Sequence, residues 1–182
     1  MTETASSVLG LWSSFYTMTG SSAAALTGLM FVVITLVSGE ERVRRAPDGI
    51  STFSTPTVVH FSAALIVSAL LTAPWRLLLH PAILLGLIGL YGIVYQVRVI
   101  EKARGLSNYR PDLEDWIWFT ILPFLAYLAI LAGAVLLVTM PVDALFAFAA
   151  SVMLMIVLGI RNAWDVVTFI AVGGADDTPK ST

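Results

Sequence analysis

WIWFTILPFLAYLAILAGAVLLVTM, residues 116–140, carries no charged side chain. At 1.5 Å per residue a helix over this run is about 37 Å long, more than the ~30 Å hydrocarbon core of a bilayer, so lipid is the solvent it is built for. Trp116 and Trp118 at its start suit the headgroup level. Pro123, which has no amide hydrogen, predicts a kink. Ahead of the run, Pro111, Asp112, Glu114 and Asp115 form the proline-led, acidic start of a helix. Behind it, Pro141 and Val142 turn the chain into a second apolar run over 144–165, which resumes at Val166 to Val172 and stops at Gly173 and Gly174.

The same pattern extends toward the N-terminus. Apolar runs at 15–37, 57–73 and 82–99 are separated by charged or proline-containing breaks. Val8, Leu9, Leu11 and Trp12 read as an interfacial lead-in to the first run. Pro56 suits the first turn of the second helix. Pro74, Trp75, Arg76, His80 and Pro81 make a compact break, so spans two and three read as a helical hairpin. The fold class is all-α: a polytopic transmembrane bundle of five spans, 15–37, 57–73, 82–99, 116–140 and 144–165 with an extension to 172. Residues 1–174 form one domain, followed by a mobile tail over 175–182.

Composition excludes most alternatives. Of 182 residues, 58% are apolar and 12% charged, against about 25% charged in soluble proteins, and the mean hydropathy is +0.88. The longest polar connection, Ser38 to Pro56, is too short for a soluble domain. A net charge of −2 gives no electrostatic footprint for nucleic acid, and the absence of cysteine removes disulfides and thiolate chemistry. The first basic residue, Arg42, follows the first apolar run, so the mature chain is expected to keep its N-terminus.

Lys and Arg gather in cytoplasmic loops. Here Arg42, Arg44 and Arg45 follow span one, Arg76 stands alone after span two, and Arg98, Lys102, Arg104 and Arg110 follow span three. The connection after span four has none, and Arg161 and Lys180 follow the heart of span five. Five spans with the N-terminus outside and the C-terminus cytoplasmic preserve this alternation; four spans lose it.

Gly20, Ala24 and Gly28 recur at four-residue spacing, a close-approach seam for another helix of this chain or of a neighbouring copy. Gly86, Gly89 and Gly92 make a second shallow groove. Ser14, Thr17, Ser21 and Thr35 form a hydroxyl stripe, and pore lining is the functional reading of it. His60, Gln96, Arg98, Asp115, Arg161 and Asp165 collect at the predicted cytoplasmic side as a polar rim. Within it, Arg161 and Asp165 are one turn apart and able to pair, and Tyr95 and Arg98 suit a cation–π contact. Gln96 needs a partner, because an unpaired amide in lipid is costly.

The run Phe15, Tyr16 … Gly20, Ser21, Ser22, Ala23, Ala24, Ala25, Leu26, Thr27, Gly28, Leu29, Met30, Phe31 resembles the opening of small uncharacterised bacterial inner-membrane proteins. The resemblance covers about a sixth of the chain and implies a multi-pass protein of the bacterial inner membrane.

No nucleophile–base pair, His-Glu-x-x-His pattern or phosphate loop is present in the sequence, and His80 is expected on the opposite side from His60. No catalytic, cofactor-binding or metal-binding residue is therefore assigned, and the chain is read as a non-enzyme. The middle of spans two to five offers Ser68, Tyr91, Tyr127 and Ser151 but no Asp or Glu, which counts against a proton- or sodium-coupled carrier. The leading expectation is a homo-oligomer in the lipid bilayer that encloses a channel or pore-like conduit. The alternative is a non-catalytic accessory or regulatory subunit that binds another membrane protein.

Overall fold

The computed structural model describes residues 5–37, 47–104 and 116–173. Every regular element among them is helical: α1 (Ala5–Val37), α2 (Pro47–Thr72), α3 (Leu79–Arg104), a π-helical turn (Ile117–Ile121) running into α4 (Leu122–Leu136), and α5 (Pro141–Gly173). Four stretches are long and apolar enough to cross a membrane: Ser7–Thr35, Leu79–Glu101, Ile117–Leu136 and Pro141–Asp165. Pro56–Thr72 in α2 is a shorter apolar helix. The 29 residues of the first stretch rise about 43 Å, so α1 must tilt or project beyond a ~30 Å core.

Several helix starts depart from the sequence expectation. The segment around Val8 to Trp12 is part of α1, not a lead-in to it. Val8 and Leu9 are buried, and Trp12 meets the ring of Phe146 edge-on at 4.6 Å, so packing against α5 extends the helix toward the N-terminus. Pro56 lies inside α2, and Pro47 stands at the helix start, where a missing amide hydrogen costs nothing. The extension of α5 is helical as far as Gly173. At Pro123, where a kink is expected, a π-helical turn precedes the proline. The loops with Arg42 to Arg45 and Arg110, and the tail 175–182, lie outside the described residues.

Laterally the helices follow the order α1, α2, α5, α4, α3, and α1 also reaches α5. Spans two and three are therefore not a packed hairpin: α3 lies against α4 and barely touches α2. The reason is the glycine face of α3. A Cβ at Gly86 would stand 3.7 Å from Ala134 Cβ, one at Gly89 would stand 2.8 Å from the Leu131 backbone nitrogen, and one at Gly92 would overlap the Tyr127 ring. Residue numbers rise on α3 as they fall on α4, so the two helices are antiparallel and in backbone contact. Without a hydrophobic driving force between helices in lipid, such contact is what distinguishes one neighbour from another.

The other interfaces repeat the device in weaker form. The Phe148 ring on α5 lies 2.9 Å from where a Gly133 Cβ would be, the Phe61 ring on α2 fills the space at Gly159 on α5, and Ser68 Cβ on α2 lies 3.0 Å from a Cβ at Gly20 on α1. Side-chain hydrogen bonds at Tyr16, Thr19, His60, Gln96 and Ser151 cross between helices. At about 0.6 kcal/mol each these total roughly 3 kcal/mol, comparable to a single overpacking error, so fit at the glycines is as decisive as polar bonding.

Gly89 and Gly28 separate fold from surface. Gly89→Ala places a methyl against the Leu131 backbone, which has no rotamer through which to yield, whereas nothing lies within 4 Å of a Cβ at Gly28. Thermal unfolding in detergent should show a lower midpoint for Gly89→Ala, corresponding to about 1–3 kcal/mol, and an unchanged protomer for Gly28→Ala.

Candidate functional site

Two groups of polar side chains stand out: an inner group bonded between helices, and exposed hydroxyls on α1. The inner set begins at Pro123. A proline returns no hydrogen bond to the carbonyl four residues earlier, here that of Phe119. The π-helical turn shifts the ladder by one residue, and the Leu122 N–H donates to the Ile117 carbonyl. Gln96 Nε2 on α3 donates to the Phe119 carbonyl at 2.6 Å. The amide that needed a partner thus finds one across two helices.

One turn beyond Pro123, the ring of Tyr127 occupies the space at Gly92, and its hydroxyl lies 3.2 Å from His60 Nδ1 on α2. The neighbouring Ala126 carbonyl accepts from Ser151 Oγ on α5 at 2.7 Å. Further along, Thr19 and Ser68 hydroxyls are 3.2 Å apart, and Tyr16 donates to the Leu145 carbonyl at 2.7 Å. Carbonyls that already serve a helix accept a second bond, which lets a bundle bury hydroxyls in lipid.

The predicted polar rim is accordingly not one surface. His60 and Gln96 are 1% exposed and belong to the interior, because the partners that satisfy them, Tyr127 and the Phe119 carbonyl, face inward. Arg98 and Asp165 are exposed. Arg161 places its guanidinium 4.3 Å from the centre of the Trp118 ring, a cation–π stack. Tyr95 stacks on Tyr91 at 6.5 Å, in place of the expected contact with Arg98. Asp115 lies outside the described residues. The stack on Trp118 and the fit of Phe61 at Gly159 went unnoticed in the sequence, although a lone glycine in an apolar run is a signal of close approach.

The outer set lies on α1. Gly10, Ser14, Thr17, Ser21, Ala24, Gly28, Phe31 and Thr35 alternate steps of four and three along the helix, and all are exposed. The expected Gly20–Ala24–Gly28 seam is therefore split: Gly20 packs on α2, whereas Ala24 and Gly28 face away from the bundle. Each four-residue step advances about 40° around a helix of 3.6 residues per turn, so the three positions precess out of the inner seam. That seam passes instead through Tyr16, Thr19, Gly20, Ala23 and Met30.

The hydroxyls of α1 differ in how they are satisfied. Ser13, Ser22, Thr27 and Thr35 return a bond to a carbonyl of their own helix. Among the described residues, Ser14, Thr17 and Ser21 make no such bond. The exposed faces of α3, α4 and α5 are different in kind. They present bulky apolar side chains: Ile83, Leu87 and Leu90 on α3, Leu125 and Val135 on α4, Phe146 and Val157 on α5.

No group of three or more His, Asp or Glu side chains suited to a metal ion occurs among the described residues. Comparison with family models, curated proteins and solved structures finds no match to this chain.

Gln96 and Pro123 form a testable pair. Gln96→Leu removes the interhelical bond to the Phe119 carbonyl and should destabilise by about 1–3 kcal/mol. In a Pro123→Ala background, where residue 123 regains an N–H for that carbonyl, the same substitution should cost measurably less. A double-mutant cycle on unfolding in detergent reads the difference, and strictly additive effects would refute the coupling.

Proposed function

We propose that the chain crosses the bilayer five times, with Pro56–Thr72 of α2 as the fifth crossing, and that several copies assemble around a conduit lined by the outer face of α1. The observation that carries this reading is the set of hydroxyls at Ser14, Thr17 and Ser21, which are exposed and return no bond to their own helix. An unbonded hydroxyl in hydrocarbon costs roughly 1–3 kcal/mol, so three in register favour a face that meets water or another chain over one that meets lipid. The interior of the protomer favours a path between copies. Tyr16, Phe61, Tyr127, Phe148 and Met155 fill it at 1% exposure or less. Thr35 is satisfied by the Phe31 carbonyl and is left out of the wet face.

The positive-inside rule supports an outside N-terminus and a cytoplasmic C-terminus, and the resemblance of the first span supports a bacterial inner membrane. Entry from the cytoplasm would then pass the basic loops. A second reading has its own support. Gly10, Ala24 and Gly28 lie on the same face as the hydroxyls, and open space at Gly28 suits the close approach of a helix from a different membrane protein. In that reading the chain is an accessory subunit.

The native chain has no cysteine, so single-cysteine variants report without background. With the conduit, Ser14→Cys, Thr17→Cys and Ser21→Cys react with a small water-soluble thiol reagent, Met18→Cys on the neighbouring flank does not, and the detergent-corrected mass is a multiple of the protomer. Protection of all three positions in a strict monomer refutes it, and protection relieved only on loss of a co-purifying subunit selects the second reading. The same reagent applied from outside should leave a cysteine between residues 42 and 45 untouched in intact cells; labelling there reverses the orientation.

A further inference from the structure

We propose that Phe31 is the gate of the conduit: its ring, repeated from each copy, closes the path on the cytoplasmic side of the hydroxyls. The inference rests on the conduit reading above and adds a device to it. Phe31 lies on the outer face of α1 and is 59% exposed. The other seven positions of that face, from Gly10 to Thr35, carry only Gly, Ala, Ser or Thr. A path lined by this face therefore narrows and loses its hydrogen-bonding groups at the same level, and an apolar constriction gates by shedding its water. Unlike Phe15, which packs against the core, Phe31 has no ring contact among the described residues. Nothing lies within 4 Å of a Cβ at Gly28, about one turn toward the hydroxyls, so the ring has open space to turn into.

The hydroxyls change character across the ring. Ser14, Thr17 and Ser21, on one side of it, return no bond to their own helix, whereas Thr35, one turn beyond it, donates to the Phe31 carbonyl at 2.8 Å. A hydroxyl cut off from water by an apolar ring needs such a bond, and hydroxyls that meet water do not. Helix geometry sets a condition on the gate. Steps of four and three average 3.5 residues, so on a straight helix the face drifts by about 20° per heptad. Gly10 and Phe31 are three heptads apart, which carries the ring about 60° off the line of Gly10. A left-handed crossing of neighbouring α1 helices removes that drift and turns Phe31 toward the same axis as the hydroxyls. The length of α1 calls for a tilt in any case, since its 29-residue apolar stretch rises about 43 Å against a ~30 Å core.

Cysteine accessibility tests the gate and the conduit separately. In intact cells, a charged, membrane-impermeant methanethiosulfonate reagent applied from outside should modify Ser21→Cys several-fold faster than Thr35→Cys. Adding Phe31→Ala should bring Thr35→Cys up to the Ser21→Cys rate. Adding Leu29→Ala instead, which removes a side chain that is 60% exposed on the flank, should leave Thr35→Cys protected. Equal rates at the two positions with Phe31 in place overturn the gate and leave the conduit standing, as does protection of Thr35→Cys that persists in assembled Phe31→Ala protein. Protection of Ser21→Cys in every background removes the conduit and the gate with it. If Phe31→Ala does not assemble, Phe31→Val, which shortens the side chain but keeps it apolar, carries the same comparison.

Discussion

The ring of Tyr127 lies where a side chain at position 92 would stand, and three other helices meet the turn of α4 that carries it. α3 meets it through Gly92, α2 through the bond from Tyr127 to His60, and α5 through the bond from Ser151 to the adjoining Ala126 carbonyl. A large aromatic side chain that is fully buried in lipid-facing architecture has to be accommodated by a partner with no side chain at all. Gly92 is that partner, and once it is in place the register of Gly89 on Leu131 and Gly86 on Ala134 follows from the helical repeat. α3 is thereby fixed to α4, which follows it in the chain, and not to α2, which precedes it.

The second constraint is that hydrocarbon supplies no hydrogen bonds. Pro123 removes one donor from the α4 ladder, and the shortfall is met by a shift to π-helical spacing together with an amide from α3. Pro123 stands four residues after the carbonyl that Gln96 bonds, and that bond gives α3 and α4 a polar recognition element beside their steric one. The two act at different heights of the same interface, Gln96 near the π-helical turn and the glycines along the remainder. Arg161 on the ring of Trp118 adds a contact from α5 to that same turn.

Much of this was legible in the sequence. A run of 25 uncharged residues at 116–140, and its companions, specify helices and their approximate limits, because hydrocarbon thickness and the cost of charge in it leave little choice. The requirement that Gln96 find a partner was legible as well, since it follows from residue chemistry alone. Which partner was not, because the loss of a donor at Pro123 and the amide at Gln96 are 27 positions apart and meet only through the tertiary register. The same limit explains the hairpin that did not form. Sequence proximity of α2 and α3 says nothing about which helix presents a side chain shaped for Gly92. Four-residue spacing misled for a different reason: on a straight helix it drifts, so Gly20 turned inward while Gly28 turned out. The ring of Trp118 under the Arg161 guanidinium belongs to another element and was invisible to spacing along α5.

The division between inner and outer polar groups bears on function more directly than any single residue. If α1 were only a lipid-facing wall, its outer stripe would be expected to resemble the exposed faces of α3, α4 and α5, whose bulky apolar side chains gain contact with acyl chains and have no hydrogen bond to lose. Small residues and unbonded hydroxyls are poor at both tasks. They are suited to water, or to a backbone arriving close enough to bond with them, and the proposed assembly would supply one or the other. The 29-residue apolar length of that helix, about 43 Å against a core of ~30 Å, acts in the same direction, because a tilted helix crosses its neighbours at an angle at which small side chains permit contact. A conduit and an accessory subunit thus make the same demand on α1, and what separates them is whether the hydroxyls at Ser14, Thr17 and Ser21 end on water or on a second helix.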